Sequence, residues 1–243
     1  MSIQEQTQPT DHMDHTTTAG MSPEALQALF SETNYQLRES RKAVLQRYAV
    51  GSEAELLAKI RHTSVAEHPA YELYLSALIL EQTRMQIRAE MLAQLAHAPE
   101  AELPCISVHW GLKEKLQSHY ALRLAAPVRL AQDALMLSFD TGLSVEVRYF
   151  SPQEYSIMWR WRDAEMRIDT APTHPGHATF PRHLHSEDGM AVPDLATSAD
   201  TDCWRNLSGL LNLLLQDPLL KILGAAPVPG AHAATDGVAS FHD

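Results

Sequence analysis

The chain has 243 residues, of which 45% are hydrophobic, and a formal net charge of -11. This length allows one large domain or two small ones, and the acidic balance argues against a generally basic nucleic-acid surface. No apolar run approaches the roughly 20 residues of a membrane-spanning helix, so we expect no membrane association. The polar N-terminus lacks the pattern of a secretory signal, and the distant Cys105 and Cys203 predict thiols in a reducing cytoplasm.

Three amphipathic helices are predicted between residues 21 and 98. Ser22-Pro23 is a typical helix start, and residues 52–55 form a capping box for a short second helix. The third and longest helix is expected to begin at His68-Pro69. Because three helices bury little core alone, we expect this part to self-associate or to hold the second part in check. The apolar stripe expected to continue into a partner comprises Tyr71, Tyr74, Leu78, Met85 and Leu92.

Strands are predicted after a proline-bounded linker that ends at Pro104. Asp140-Thr141-Gly142 is a hairpin signal between two apolar segments. Residues 155–162 then alternate, which predicts a strand with one aromatic and one basic face. The expected fold class is α+β: an N-terminal helical bundle followed by a small antiparallel sheet of three or four strands with flanking helices. The expected divisions are a disordered tail (1–20), a helical interaction domain (21–98), an α+β domain (104–223) and a flexible tail (224–243).

A histidine-rich loop follows the predicted strands, and it is the best candidate for chemistry. Four of the thirteen histidines lie within twelve positions, namely His174, His177, His183 and His185. Three interpretations stay open. The imidazoles can bind a transition metal together with Asp169, although the spacing matches no standard zinc signature. They can act as general acid and base on a phosphodiester beside an arginine. They can also simply cap turns in a surface loop.

Several arginines are candidates for phosphate contacts, because a guanidinium can bind phosphate through two hydrogen bonds. For Arg148, Arg160 and Arg162, the alternative is a solvated outer sheet face on which they pair with Glu146 or Glu165. The expected binding residues are Arg148, Arg160, Arg162 and Arg182. Glycine-rich phosphate loops, nucleophile elbows, His-Glu-x-x-His motifs and paired cysteine motifs are absent from the sequence, which gives little support to the corresponding enzyme classes.

Residues 135–215 resemble the TumE-type bacterial toxin family in the order of their motifs. The segment from Arg167 to Pro175 reads RIDTAPTHP, where the family has RWDNAPHHP. The segment from Thr179 to His185 reads TFPRHLH, where the family has TFPHHxH. A tyrosine- and arginine-bearing strand precedes these segments, and a helix follows them. The chain departs from the family pattern at Ile168, Thr170, Thr173 and Arg182.

The resemblance implies a toxin-like α+β domain with ribonuclease (mRNA interferase) activity, and with RNA and an antitoxin as partners. We expect His183 and His185 to act as general acid and base without a metal or other cofactor, and His174 to assist. Arg167 and Arg182 would contact phosphate, and Asp169 would orient an imidazole or Arg167. The expected catalytic residues, all within 104–223, are His174, His183, His185, Arg167 and Asp169. The alternative is a non-enzymatic accessory or regulatory binding protein that keeps the fold without the chemistry.

Overall fold

The computed structural model describes residues 22–95 and 108–224. Three helices form the first part: α1 (Pro23–Arg47), α2 (Glu53–Arg61) and α3 (Glu67–Leu95). Both predicted N-caps are present, because the hydroxyls of Ser22 and Ser52 accept hydrogen bonds from backbone N–H groups three residues later. Helix α3 starts one residue earlier than predicted. The tails predicted for residues 1–20 and beyond Gly224, and the linker, lie outside the described residues.

A seven-stranded antiparallel sheet forms the second part, with the strands in sequence order, so the α+β class is confirmed. The sheet has more strands than the three or four predicted. The strands are β1 (Arg129–Leu130), β2 (Leu135–Ser138), β3 (Ser144–Ser151), β4 (Glu154–Trp161), β5 (Ala164–Asp169), β6 (His183–His185) and β7 (Ala191–Pro193). The predicted hairpin turn joins β2 to β3, and Gly142 there adopts a φ of 83°, which glycine allows without strain.

Helices α4 (Val108–His119) and α5 (Cys203–Leu214) cover one face of the sheet, and a short helix α6 (Lys221–Gly224) follows. The predicted aromatic face of β4 lies in this core, with Tyr155 and Trp159 almost fully buried. Helix α3 packs on the other face, against β3 and β4. Within the described ranges, no helix combines the length and the apolar content that crossing a membrane requires.

Contacts between α3 and the sheet join the two predicted domains closely. A second hydrophobic cluster, separate from the core under α4 and α5, centres on α2 and α3. It also includes Ala171 from the histidine loop and packs against Phe150 of β3. Polar contacts add to it: the Tyr71 hydroxyl lies 2.8 Å from the Thr170 hydroxyl, and Ser76 donates to Asp133 at 2.5 Å. Helix α3 therefore contacts both the other N-terminal helices and the sheet.

The far ends of α1 and α3 extend beyond these contacts. Tyr71 and Tyr74 are buried within the chain, so they do not belong to a surface for a partner. Met85 and Leu92 are 63% and 64% exposed, and none of residues 24–36 or 82–93 is buried. Among the residues that the structure describes, no third layer covers the apolar side chains of this antiparallel helix pair. A second copy of the chain stays our expected partner for it.

Replacing Met85 and Leu92 together by glutamate is expected to split an oligomer without lowering the melting temperature. The two side chains are exposed in the single chain, so charge there costs little intramolecular packing but opposes burial at an interface. Light scattering and thermal unfolding measure the two effects. The matched control is Leu122→Glu, at a site that is 96% exposed on a different part of the chain. A monomeric wild type would contradict the prediction.

His109 is a buried histidine of α4 that belongs to the core. Its Nε2 accepts a hydrogen bond from the Tyr149 backbone N–H at 3.0 Å. Burial lowers the pKa of His109 to about 4. In the unfolded chain the pKa lies near 6.5, so below that pH the unfolded state binds a proton that the folded state does not bind until about pH 4. The stability that neutral His109 gives is therefore lost as the pH falls from 6.5 to 4.

The variant His109→Gln is expected to flatten the acid side of the stability profile by roughly 3 kcal/mol between pH 6.5 and 4. The glutamine oxygen can still accept the Tyr149 hydrogen bond, but the side chain does not titrate. His68 and His183, whose pKa values are raised, act in the opposite direction, so the wild-type and variant profiles must be compared. Urea unfolding at several pH values measures this, with exposed His62→Gln as control. Parallel wild-type and variant profiles would contradict it.

Candidate metal centre

The pairing of β5 with β6 brings the predicted site residues together. Residue Asp169 lies opposite His183 in the antiparallel register, and Arg167 lies opposite His185. The pleat places residues two apart on the same face, so both histidines share a face with the carboxylate and the guanidinium. The loop between the two strands carries His174, whose ring lies 4.5 Å from that of His183, centroid to centroid. The sequence pattern His-x-His after a strand correctly predicted this shared face.

Glu67, the first residue of α3, lies at the middle of this cluster. Its Oε1 atom lies 2.6 Å from His185 Nε2, 3.0 Å from His183 Nε2 and 3.0 Å from Arg167 Nη2. Its Oε2 atom lies 3.2 Å from His174 Nε2, and the Thr173 hydroxyl donates to the same oxygen. Glu67 was not predicted as a site residue, because it belongs to the helical part and no sequence motif marks it.

One ligand atom from each of Glu67, His174, His183 and His185 can be chosen so that all four lie within 4.8 Å of one another. The tautomer of His183 is fixed by its other nitrogen, since Nδ1 lies 2.9 Å from the carbonyl oxygen of Pro181 and must donate to it. In the neutral ring, Nε2 then presents a lone pair toward Glu67 Oε1 and, at 3.3 Å, toward Asp169 Oδ1. A lone pair facing carboxylate oxygens requires a proton or a cation between them.

Electrostatics in the cluster favour bound positive charge. Burial would raise the pKa of Glu67, but hydrogen bonds from His183, His185 and Thr173 outweigh it and hold that pKa well below its usual range. Burial works to lower the pKa of His183, yet the hydrogen bond to Glu67 and the charge of Asp169 raise it. Burial and the neighbouring His183 lower the pKa of His174. A charge on His183 therefore opposes a charge on the neighbouring His174, and one divalent ion would satisfy both rings together.

The cluster is closed on one side and open on the other. The His183 side chain is fully buried, those of Glu67 and His185 are mostly buried, and that of His174 is 34% exposed. The ring of His177 stacks on His174 with 5.2 Å between centroids and 11° between planes. Its buried Nδ1 atom has no hydrogen-bond partner within the described ranges. A water or substrate would therefore approach from the side of His174.

Arg167 is held by carboxylates rather than left free for phosphate. Its Nε atom lies 2.6 Å from Asp169 Oδ2 and 3.1 Å from Glu72 Oε1, in addition to the contact with Glu67. Burial raises the pKa of Asp169, and the charges of His183 and Arg167 oppose that effect. The Asp169 Oδ1 atom also accepts the Ala171 backbone N–H at 2.9 Å. Asp169 thus orients Arg167, as the sequence analysis expected for this pair.

The four arginines predicted as binding residues form no common patch in the part of the chain that the structure describes. Arg148 lies under α3 and pairs with Asp133 at 2.9 Å and with Glu146. Arg160 is exposed and pairs with Glu165 at 2.5 Å. The Arg162 guanidinium lies over the Trp161 ring at 4.1 Å. The fourth, Arg182, donates to the backbone carbonyl of Thr197 and lies 3.6 Å from Asp194. Pairing with Glu146 or Glu165, the alternative left open by the sequence, describes Arg148 and Arg160.

Comparison with known proteins relates the first part of the chain to one protein family. A model of the uncharacterized protein MJ0235 family matches residues 10–98, which is less than half of the chain. No curated protein and no solved structure matches the chain. The matched segment includes Glu67 but none of the three histidines of the cluster. It also lies outside residues 135–215, so the resemblance to TumE-type toxins stays a prediction.

Proposed function

We propose that this protein is a metal-dependent hydrolase whose single divalent ion is bound by Glu67, His174, His183 and His185. The observation that carries the proposal is the convergence of three imidazole Nε2 atoms on one carboxylate. Their distances to the Glu67 oxygens range from 2.6 to 3.2 Å. Imidazole nitrogens and a carboxylate converge in this way when they bind the same metal ion.

The donor set and its surroundings suit zinc or a neighbouring transition metal. Imidazole nitrogens and one carboxylate oxygen are ligands that zinc, nickel and iron accept. The hydrogen bond from His183 Nδ1 to the Pro181 carbonyl is the type of outer contact that fixes a ligating ring in its metal-binding tautomer. A fifth position on the exposed side, next to His174, would be free for water.

Phosphodiester hydrolysis in RNA is the reaction that we propose for this centre. A bound divalent ion lowers the pKa of a coordinated water and offsets the charge of the reacting phosphate. Arg167 holds Glu67 in place from the closed side, at 3.0 Å. His174, the most exposed of the four proposed ligands, forms the rim at which substrate enters. The acidic chain offers little general attraction for nucleic acid, so the ion would supply the positive charge that the surface lacks.

A metal-free mechanism is the second candidate, and one observation favours it. His174 and His185 are the two ligand histidines whose side chains reach solvent in part, and their rings lie 6.0 Å apart, centroid to centroid. Two imidazoles at this separation can serve as base for a ribose 2'-hydroxyl and acid for the leaving oxygen. The fully buried His183 cannot take either role by direct contact, so it would only orient its neighbours. An antitoxin partner and the non-enzymatic alternative stay predictions.

The test is a zinc titration of the full-length protein, followed by RNA cleavage with and without chelator. We expect one Zn²⁺ per chain by calorimetry, and loss of binding in His183→Ala and in His185→Ala. Circular dichroism is expected to show that each variant is folded. Cleavage lost in EDTA and restored by Zn²⁺ supports the proposal. Cleavage that persists in EDTA supports the metal-free mechanism instead, and failure to bind Zn²⁺, Ni²⁺, Mn²⁺ or Fe²⁺ overturns the metal centre.

A further inference from the structure

A cavity of about 600 Å³ opens beside the metal centre, between α2, α3 and the histidine loop. Thr173 joins the two, because it lines the cavity and its hydroxyl donates to Glu67. The segment that carries His174 contributes Pro172 and Pro175 to the wall, and Pro181, whose carbonyl accepts from His183, contributes as well. A ligand seated in this cavity would therefore contact the same loop that positions two of the four metal ligands.

The cavity walls combine flat apolar groups with a small number of hydrogen-bonding groups. Leu57, Tyr71 and Phe180 supply apolar surface, and the Phe180 ring is 45% exposed. Arg61, Gln153 and Glu154 supply donors and acceptors. The Tyr74 hydroxyl donates to Glu154 Oε1 at 3.0 Å, which fixes that carboxylate in place. Cavities of a few hundred Å³ with this mixture are typical small-ligand sites.

We propose that this cavity binds a single unpaired nucleobase, with guanine preferred, and so presents the adjoining phosphodiester to the metal centre. The proposal rests on the proposed function, since it names the substrate group of the same site. An exposed aromatic ring provides a stacking surface for a base taken out of a helix. The carboxylate of Glu154 suits the ring N–H and amino donors of guanine, while Arg61 and the Gln153 amide suit its carbonyl and ring nitrogen.

Charge supports a base rather than a phosphate as the group that the cavity recognises. Arg61 is the single cationic side chain among the described residues that line the cavity, and the Glu154 carboxylate lines it too. A phosphate placed there would meet that carboxylate, whereas a neutral base can hydrogen-bond to both side chains. The four arginines predicted as binding residues form no common patch for the phosphates of a longer RNA. RNA recognition would therefore depend on one base at a time. That favours short single-stranded segments.

The test is calorimetric binding of guanosine 5'-monophosphate to the full-length protein in EDTA, so that no metal contributes. We expect one saturable site, no competition from ribose 5-phosphate, and weaker binding of the other nucleoside monophosphates. Phe180→Ala should weaken binding about tenfold, the usual size of one lost stacking contact. The control Leu122→Ala removes an apolar side chain that is also exposed and should change nothing. Glu154→Gln should remove the preference for guanine over adenine while Zn²⁺ binding is unchanged.

Each outcome decides the inference separately from the metal centre. Absence of saturation at millimolar nucleotide, equal binding of ribose 5-phosphate, or unchanged binding in a folded Phe180→Ala protein overturns it. Nucleotide binding in a protein that binds no divalent ion keeps the base site and overturns the metal-dependent function. Zinc binding without nucleotide binding keeps the metal centre and overturns the base site.

Discussion

Replacing Glu67 by glutamine is expected to weaken Zn²⁺ binding by more than about 100-fold, beyond the 10- to 100-fold typical of outer-shell changes. The variant loses the one negative charge that three imidazoles and Arg167 share, and its amide nitrogen would point a donor at one of them. In the wild type, saturating Zn²⁺ should raise the free energy of unfolding by about 4 kcal/mol at 1,000 times the dissociation constant. Calorimetry and urea unfolding with Zn²⁺ measure both effects.

Glu165→Gln is the matched control for this prediction. Glu165 is a glutamate of β5 that is largely exposed and contacts Arg160 instead of the cluster. Its neutralisation should leave both the Zn²⁺ affinity and the zinc-induced stabilisation unchanged. If Glu67→Gln bound zinc as tightly as the wild type, Glu67 would not be a ligand, and its contacts with the histidines would be ordinary hydrogen bonds.

Asp169→Asn is expected to lower the free energy of unfolding by about 3 to 5 kcal/mol, the usual result of removing one partner of a buried ion pair. Asp169 is fully buried and accepts from Arg167 Nε at 2.6 Å. The asparagine keeps the size, and its oxygen can still accept from Ala171, but its amide N–H₂ then takes the place of Oδ2 and faces the Arg167 guanidinium donors. A buried, under-compensated charge is then left in the folded state. Urea unfolding at neutral pH measures the loss.

The exposed pair of Arg160 and Glu165 provides the contrast for Asp169. Its two charges lie 2.5 Å apart, yet both side chains are largely in solvent. Arg160→Gln should therefore change the free energy of unfolding by less than about 1 kcal/mol. A loss below about 1 kcal/mol in Asp169→Asn as well would contradict a stabilising role for the buried network.

Local sequence signals predicted the parts of the fold that depend on near neighbours. The N-cap serines, the glycine turn before β3 and the aromatic face of β4 each follow from a few adjacent side chains, and each is present. Strands β1, β6 and β7 have only two or three residues, too few for an alternating pattern, so most of the additional strands were not predicted. Such short strands are defined by their pairing rather than by their own composition.

The sequence predicted three of the four residues of the candidate metal site and missed the fourth, Glu67. His183 and His185 share a face because of a two-residue spacing that is visible in the sequence. Glu67 contacts them from a helix more than 100 residues earlier in the chain. The prediction that all catalytic residues lie within residues 104–223 therefore left Glu67 out. Likewise, Arg148 lies on the face predicted to be basic, but the packing of α3 over that face turned it into a partner of Asp133. Long-range packing decided both outcomes.

The position of Glu67 also bears on the topology of the folded chain. An ion held by Glu67 and His174 would act as a reversible cross-link, and the loop it closes spans 107 residues (174 − 67). Cross-links that close loops of about 100 residues remove conformational entropy from the unfolded chain, worth about 4.7 kcal/mol in the chain-entropy model. Metal loading would thus bind the three-helix part and the sheet into one cooperative unit, in the way that a disulfide does in an oxidising environment.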